Sequence, residues 1–315
     1  MRKIGKKLGS MLLTIILVSF LVYVSFEFIS GDQATAMLGI EATPESVAQL
    51  QEELGLNRPF LVRFVDWGVS FLKGDMGYSY SYNMPVSTLL AQKFVITLTL
   101  TVLAFLMVMV VSIPISLVSA KYSGRMLDRV IQIINQITMA IPPFFLGILM
   151  TYVFGLLLKV FVPGDYISYD KDLGAYLRYL IFPAIAIAMP KCAMTIQLLR
   201  SAIEKERHCD YIRTAYSKGN TTNRVLVIHV LQNAMLPVVT FLGMVATEML
   251  VGSIIIEQVF GIPGVGSILL QAIGNRDYAL IQGVIVCLAC WVLLIQTGVE
   301  FTCQRMDPRT KQGLD

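Results

Sequence analysis

Apolar and polar positions alternate along this chain on a long scale. Six stretches, residues 8–29, 94–120, 130–158, 179–199, 237–256 and 279–303, are almost continuously apolar, and each is long enough to cross a bilayer. The pattern predicts an all-α integral membrane protein with six transmembrane helices. Proline recurs inside these stretches at Pro114, Pro183, Pro190 and Pro237. Membrane helices tolerate it because neighbouring helices satisfy the freed carbonyls. The third stretch exceeds an untilted span, and Pro142-Pro143 near its middle is expected to kink it.

Two connecting segments are too long to be turns. In residues 30–92, Thr43-Pro44-Glu45 reads as a helix start: Thr as N-cap, Pro at the first position, and Glu at the positive end of the dipole. That helix is expected to run through Leu54 and to be closed by Gly55. A second helix, 59–72, places Phe60, Phe64, Trp67 and Phe71 at helical spacing, a stripe that suits either the membrane interface or the bundle. Gly74 and Gly77 with Tyr78, Tyr80 and Tyr82 then form a return loop. In residues 200–236, Asp210 is expected to cap a short helix, 211–218, ended by Gly219. An amphipathic helix over 222–234 follows, apolar at Val225, Leu226, Ile228, Val230 and Leu231, and ends at Pro237, where the fifth span begins. An interfacial elbow and a docking element for a cytoplasmic partner both fit this pattern.

Lys and Arg set the orientation. With the N-terminus inside, sixteen of them fall in inner segments and six in outer ones, so both termini face the cytoplasm. The chain thus divides into a basic tail and first helix (1–29), an extracytoplasmic structured segment (30–92), a five-helix core (93–303) containing the loop 200–236, and a cytoplasmic tail (304–315). A basic start, an apolar run and Ala34-Thr35-Ala36 also match a cleaved signal peptide. The run is longer than a signal core, however, and Glu27, Ser30, Gly31 and Asp32 separate it from that site, so a retained span is expected.

Composition narrows the function. Of 315 residues 56% are hydrophobic and 15% charged, with mean hydropathy +0.69, which excludes an ordinary cytosolic enzyme. The net charge of +4 leaves no nucleic-acid footprint. Five cysteines form no disulfide framework, and Cys287 and Cys290, although spaced C-x-x-C, sit in an apolar helix where small filler is the simpler reading. Gly261-Ile-Pro-Gly264-Val-Gly266 lacks the lysine of a nucleotide-binding loop. No residues stand at metal-ligand spacing beyond the local cluster His208-Cys209-Asp210. His229 reads as an interfacial residue, and the 16 methionines as apolar filler. Lys191 lies about 18 Å from the outer end of the fourth span, and Glu248 about 16 Å from the inner end of the fifth. Charges at such depth seldom face lipid, so the two form a structural ion pair or line a wet pathway.

The stretch Asp210-Tyr211-Ile212-Arg213-Thr214-Ala215-Tyr216-Ser217-Lys218-Gly219, followed by His229, Asn233-Ala234 and Leu236-Pro237, resembles the "EAA" loop of ABC-importer permeases, with Arg213-Thr214-Ala215 at its core. Its longer Gly-to-Leu-Pro spacing is that of the peptide/nickel permease family. Leu54-Gly55-Leu56-Asn57-Arg58-Pro59, Gly74-Asp75-Met76-Gly77-Tyr78-Ser79, Glu257 to Gly266, Arg276-Asp277-Tyr278 and Asp307-Pro308-Arg309 extend the resemblance over most of the chain. Ser30-Gly31-Asp32-Gln33-Ala34 departs from the family's Pro-Gly-Asp-Pro, and the outer segment resembles the first of the two permease subunits.

The resemblance implies a non-catalytic permease subunit in a prokaryotic plasma membrane. It implies a second homologous permease, two ATPase subunits that bind ATP and Mg2+, and an extracytoplasmic solute-binding protein as partners. This chain itself would bind no cofactor. Asp210, Tyr211, Arg213, Thr214, Ala215, Lys218 and Gly219 would belong to a coupling helix seated on an ATPase, and the solute would be a peptide, a peptide-like compound or a nickel chelate. The residues by themselves leave an ATPase-independent channel or secondary transporter open, although no internal repeat of the kind such transporters carry is evident.

Overall fold

In the computed structural model, residues 2–28, 33–38, 43–53, 55 and 57–306 are described. The C-terminal motif Asp307-Pro308-Arg309, the outer end of the first expected span at Ile29, the segment Ser30-Gly31-Asp32 and Leu54 lie outside them. The described chain is helical except for one hairpin of two-residue strands. It forms two compact units: Met1–Ile96 with Pro263–Leu293, and Thr97–Ile262 with Leu294–Asp315.

The first unit begins with α1 (Arg2–Phe28) and the short α2 (Gln33–Leu38). Helix α3 (Pro44–Glu53) starts as its sequence predicts. Thr43 Oγ1 accepts from Ser46 N at 3.2 Å while Ser46 Oγ accepts from Thr43 N at 3.0 Å, a reciprocal cap. Gly55, at φ +66°, makes the turn that follows. The aromatic stripe of α4 (Phe60–Leu72) packs on α1: Phe64 lies edge-on to Phe20 at 5.3 Å, and Tyr23 meets Phe60, Phe64 and Trp67.

The tyrosine loop folds as a hairpin, β1 (Tyr78–Ser79) antiparallel to β2 (Met84–Pro85). Asp277, fully buried, holds it. One carboxylate oxygen accepts from Ser79 Oγ at 2.5 Å and Ser81 N at 3.2 Å, and the other accepts from Leu280 N at 3.3 Å. Asp277 thereby caps α13 (Tyr278–Met306) and follows α12 (Val265–Asn275). Tyr80 donates to the Asn275 carbonyl, and burial, reinforced by the Asp277 carboxylate, pushes its hydroxyl up to about 12. The start of α5 (Val86–Lys121) lies against the same part of α13, with Phe94 stacked on Trp291 at 6.1 Å.

The second unit is organised around α8 (Leu173–Arg207), which packs on α6 (Met126–Ala140), α7 (Pro143–Met150) and α11 (Leu231–Phe260). Pro183 and Pro190 lie within α8 without breaking it. Helix α5 turns Leu100, Ala104, Val108, Ser112, Ser116 and Ser119 inward at helical spacing. Ser112 and Ser116 donate to the carbonyls of Cys192 and Ile196 at 3.4 and 3.3 Å, the small-residue contact that lets membrane helices approach. The closest approach is at Gly243, where a Cβ would stand 2.5 Å from Val299.

Three expectations change. The third stretch is two helices meeting at 95°, rather than one kinked helix. Ile141 precedes Pro142 and Pro142 precedes Pro143, so both are forced into extended backbone, at ψ 121° and 141°. A wide π turn, Thr151–Leu157, then continues α7. Second, the helix after Gly219 does not end at Pro237. α10 (Thr222–Arg224), a π turn Val225–Val230 and α11 form one run of 39 residues with Pro237 inside it. That run is about 58 Å long, roughly twice the hydrocarbon thickness, so it extends well beyond the membrane. Third, Asp210 is not the cap of its helix but its first residue; extended Cys209 takes the cap position.

Among the described residues, four helices are long and apolar enough to cross a membrane: Val86–Lys121, Leu173–Arg207, Thr222–Phe260 and Tyr278–Cys303. The bent pair makes a fifth if it counts as one span, and Gly9–Ser25 is a shorter apolar helix.

Candidate functional site

The segment between the fourth and fifth expected spans builds a short, braced helix. Helix α8 ends at Arg207, whose guanidinium donates to the Ala120 carbonyl at 2.7 Å and so ties it to the end of α5. After His208 and Cys209 the chain turns into α9 (Asp210–Ser217). Two residues of α9 face inward, Ile212 and Ala215. The others present outward, including Asp210, Tyr211, Arg213 and Thr214; Lys218 and Gly219, which follow the helix, are exposed as well. Asp210 in the first turn complements the helix dipole and pairs with Arg213 at 3.6 Å, both side chains in the open.

Helix α9 is tied down at its start and closed at its end. Tyr211 Oη donates to Glu206 at 2.6 Å and accepts from Asn233 Nδ2 at 2.9 Å, joining α9 to the end of α8 and the start of α11. Partial burial, and the proton that Tyr211 shares with Glu206, hold its hydroxyl above the ordinary tyrosine value. Gly219 sits at φ +80° and donates to the Tyr216 carbonyl at 2.9 Å, closing the helix in the left-handed region that a side chain resists. Asn220 Nδ2 reaches back to the Ala215 carbonyl at 2.9 Å. Of the seven loop residues expected from the sequence, six thus lie on the surface, and Ala215 lies beneath it.

Lys191 and Glu248, 57 positions apart in sequence, meet: Lys191 Nζ donates to Glu248 Oε2. The pair is unevenly covered, with the lysine side chain 17% and the glutamate 52% exposed. Glu248 opens into a groove of about 530 Å3 between α11 and the second half of α13, which also takes Thr240, Thr247, Gln296, Glu300 and Cys303. A row of polar groups in a hydrophobic span cannot face acyl chains cheaply.

Two further charged sites did not stand out in the sequence. Asp128 of α6, almost fully buried, accepts from Arg200 Nε and Nη2 at 2.7 Å each, from Ser119 Oγ at 2.7 Å and from Gly124 N at 2.9 Å. Glu257, fully buried near the end of α11, accepts from Thr97 at 2.6 Å. Asp128 was visible only as a carboxylate just before an apolar stretch, and Glu257 as one just after such a stretch, at the start of a motif. Among the described residues, no three of His, Cys, Asp and Glu converge on one point, so His208-Cys209-Asp210 does not gather into a ligand set. All five cysteines are free.

Comparison with known proteins places this architecture. Residues 112–312 match the family described as the inner membrane component of binding-protein-dependent transport systems, and residues 1–101 match that component's N-terminal region. The chain belongs to this family, and it is a multi-pass inner-membrane protein whose role in such a system is that of the permease. It is similar to a probable peptide ABC transporter permease protein, y4tP, of Sinorhizobium fredii, 31% identical over 97% of this chain and 98% of that one. A putative peptide transport system permease protein of Brucella abortus is 31% identical, over 97% and 98%. The glutathione transport system permease protein GsiC of Salmonella choleraesuis is 30% identical over 96% of each chain.

Proposed function

We propose that this chain is one of two permease subunits of a peptide importer, and that α9 is the lever by which partner ATPases drive it. The observation that carries the reading is the lever itself: a helix of eight residues, braced by Tyr211 to two long helices, with its outward face free. A rigid element joined directly to the spans can transmit the closing of an ATPase pair to a bundle with two stable arrangements. The hydrolysis, with its ATP and Mg2+, belongs to those partners. The charge count puts α9 and both termini in the cytoplasm, and the six apolar stretches serve as six spans, the third broken at Pro142-Pro143. Relatives named for peptide and for glutathione transport, the latter itself a small peptide, support a peptide solute delivered by an extracytoplasmic binding protein.

Glu248 and the groove beside it line the pathway in this reading, because a half-exposed carboxylate at membrane depth needs water or a polar partner. The first experiment purifies the tagged chain from native membranes in mild detergent and identifies its stoichiometric partners by mass spectrometry. A second permease with two ATPase chains is the expected result; a homo-oligomer without ATPase returns the channel reading. Gly219→Val and Ala215→Glu then test the lever. Insertion is expected to remain normal while uptake of labelled di- and tripeptides is lost and ATP hydrolysis no longer responds to binding protein and solute. Competition by a nickel chelate checks the solute class. Wild-type uptake by both variants removes the lever from the mechanism.

A further inference from the structure

Helix α4 has three faces, and only one is accounted for by the fold. At 3.6 residues per turn, Phe60, Phe64, Trp67 and Phe71 share the face that packs on α1. Arg63, Asp66 and Ser70 form a narrow polar strip, with Asp66 paired to Arg58 at 3.5 Å. The third face, centred about 140° from that strip, is aliphatic: Leu61, Val65, Val69 and Leu72, with Leu61 64% and Leu72 85% exposed.

We infer that this face is immersed in the acyl chains of the bilayer, so that α4 is a membrane-embedded helix rather than part of an aqueous cap. Depth argues for it. Tyr23 and Phe20, on which α4 rests, lie about 8 and 12 Å back along α1 from its last residue, Phe28. That depth is below the headgroups for any helix that ends at the membrane surface. Chemistry argues for it as well. Protein interfaces gather aromatic and arginine anchors at their centres, whereas here the aromatic rings turn inward onto α1 and branched aliphatic side chains face out. Helix α1, on which α4 packs, carries exposed aliphatic residues of the same kind at Leu12, Leu13, Ile16, Leu17 and Leu21. The polar strip opposite then points to headgroups and water, as in helices that lie in a membrane surface. The leaflet is the one opposite the N-terminus, which rests on the orientation proposed above; the immersion does not.

The chain has two tryptophans, Trp67 and Trp291. With both changed to Phe, single indoles placed by Val65→Trp, Val69→Trp and Asp66→Trp report their surroundings in the full chain. The chain is co-purified with its partners and reconstituted in 3:1 phosphatidylcholine–phosphatidylglycerol vesicles, and the emission of the same complex carrying the tryptophan-free chain is subtracted. Lipids brominated along the acyl chain are expected to cut the emission at positions 65 and 69 at least twofold and aqueous iodide to leave it unchanged; position 66 should show the reverse preference. Quenching of positions 65 and 69 by iodide returns α4 to water and overturns the inference. Protection from both quenchers shows a protein covering the face and overturns it equally. Trp291→Phe alone, which leaves α4 intact, gives a second reading: Trp67 should be quenched more by lipid bromine than by iodide, and the opposite preference defeats the inference.

Discussion

Helix α8 makes two ion pairs with other helices, nine residues apart and on opposite faces, and they are built on different principles. Toward its C-terminal end Arg200 grips Asp128 with two parallel hydrogen bonds of 2.7 Å, and Ser119 and the Gly124 amide fill the rest of that carboxylate's capacity. The acid is 4% exposed. At membrane depth Lys191 meets Glu248 through one contact, and more than half of the glutamate remains open to a groove. A saturated, forked pair fixes two helices in one arrangement. A pair with an open carboxylate can exchange its partner for water or for a passing solute. One helix thus joins a fixed point to an adaptable one, as expected of a permease whose bundle must hold together while its pathway changes.

The comparison can be broken from either side. The largest effect is expected from Asp128→Ala, which strands Arg200 with most of its side chain covered: a loss of about 3–5 kcal/mol, read as a collapse of the thermal midpoint in size-exclusion assays on solubilised protein. A midpoint equal to wild type shows that this pair does not hold α6 to α8. Arg200→Lys keeps the charge but loses the fork, and about 1.5–3 kcal/mol is expected on the same assay.

Glu248→Gln should behave in the opposite way. Stability is expected to fall by less than for Asp128→Ala, because the Gln carbonyl still accepts from the covered Lys191, while peptide uptake falls about tenfold, equivalent to roughly 1.4 kcal/mol in kcat/KM. The double exchange Lys191→Glu with Glu248→Lys sharpens this further: full uptake with unchanged selectivity makes the pair structural, and intact folding with altered selectivity makes it part of the pathway. The smallest effect is expected at the fully open pair of the lever, where Asp210→Asn should leave the thermal midpoint unchanged. On the proposed coupling role, any loss there is read in uptake.

Much of the helical framework was legible in the sequence, because it depends on neighbours a few positions away. Thr43 and Pro44 start α3, Gly219 ends α9, and the aromatic spacing in α4 shows one face of a helix. Contact partners were less legible. Lys191 and Glu248 drew notice because each is a charge in an apolar run. Asp128 and Arg200 did not, since each lies where a loop charge is unremarkable. Asp277 was visible in a motif, but nothing local ties it to Ser79, 198 positions earlier, where one buried carboxylate joins the outer hairpin to the start of α13.

The sequence by itself determined the medium, most of the helices and several of their ends, since hydropathy, capping and glycine conformation are properties of short windows. It also carried the family, through motifs held at fixed spacing. The tertiary structure decided which face of α4 turns inward, that Pro237 rides inside one continuous helix while Pro142-Pro143 bends the chain by 95°, and that one carboxylate on α8's flanks is saturated and the other open. Proline removes the same hydrogen bond wherever it occurs, and a carboxylate has the same capacity everywhere. Whether that loss or that capacity is met depends on groups brought close by folding, and their sequence distance leaves no local signal.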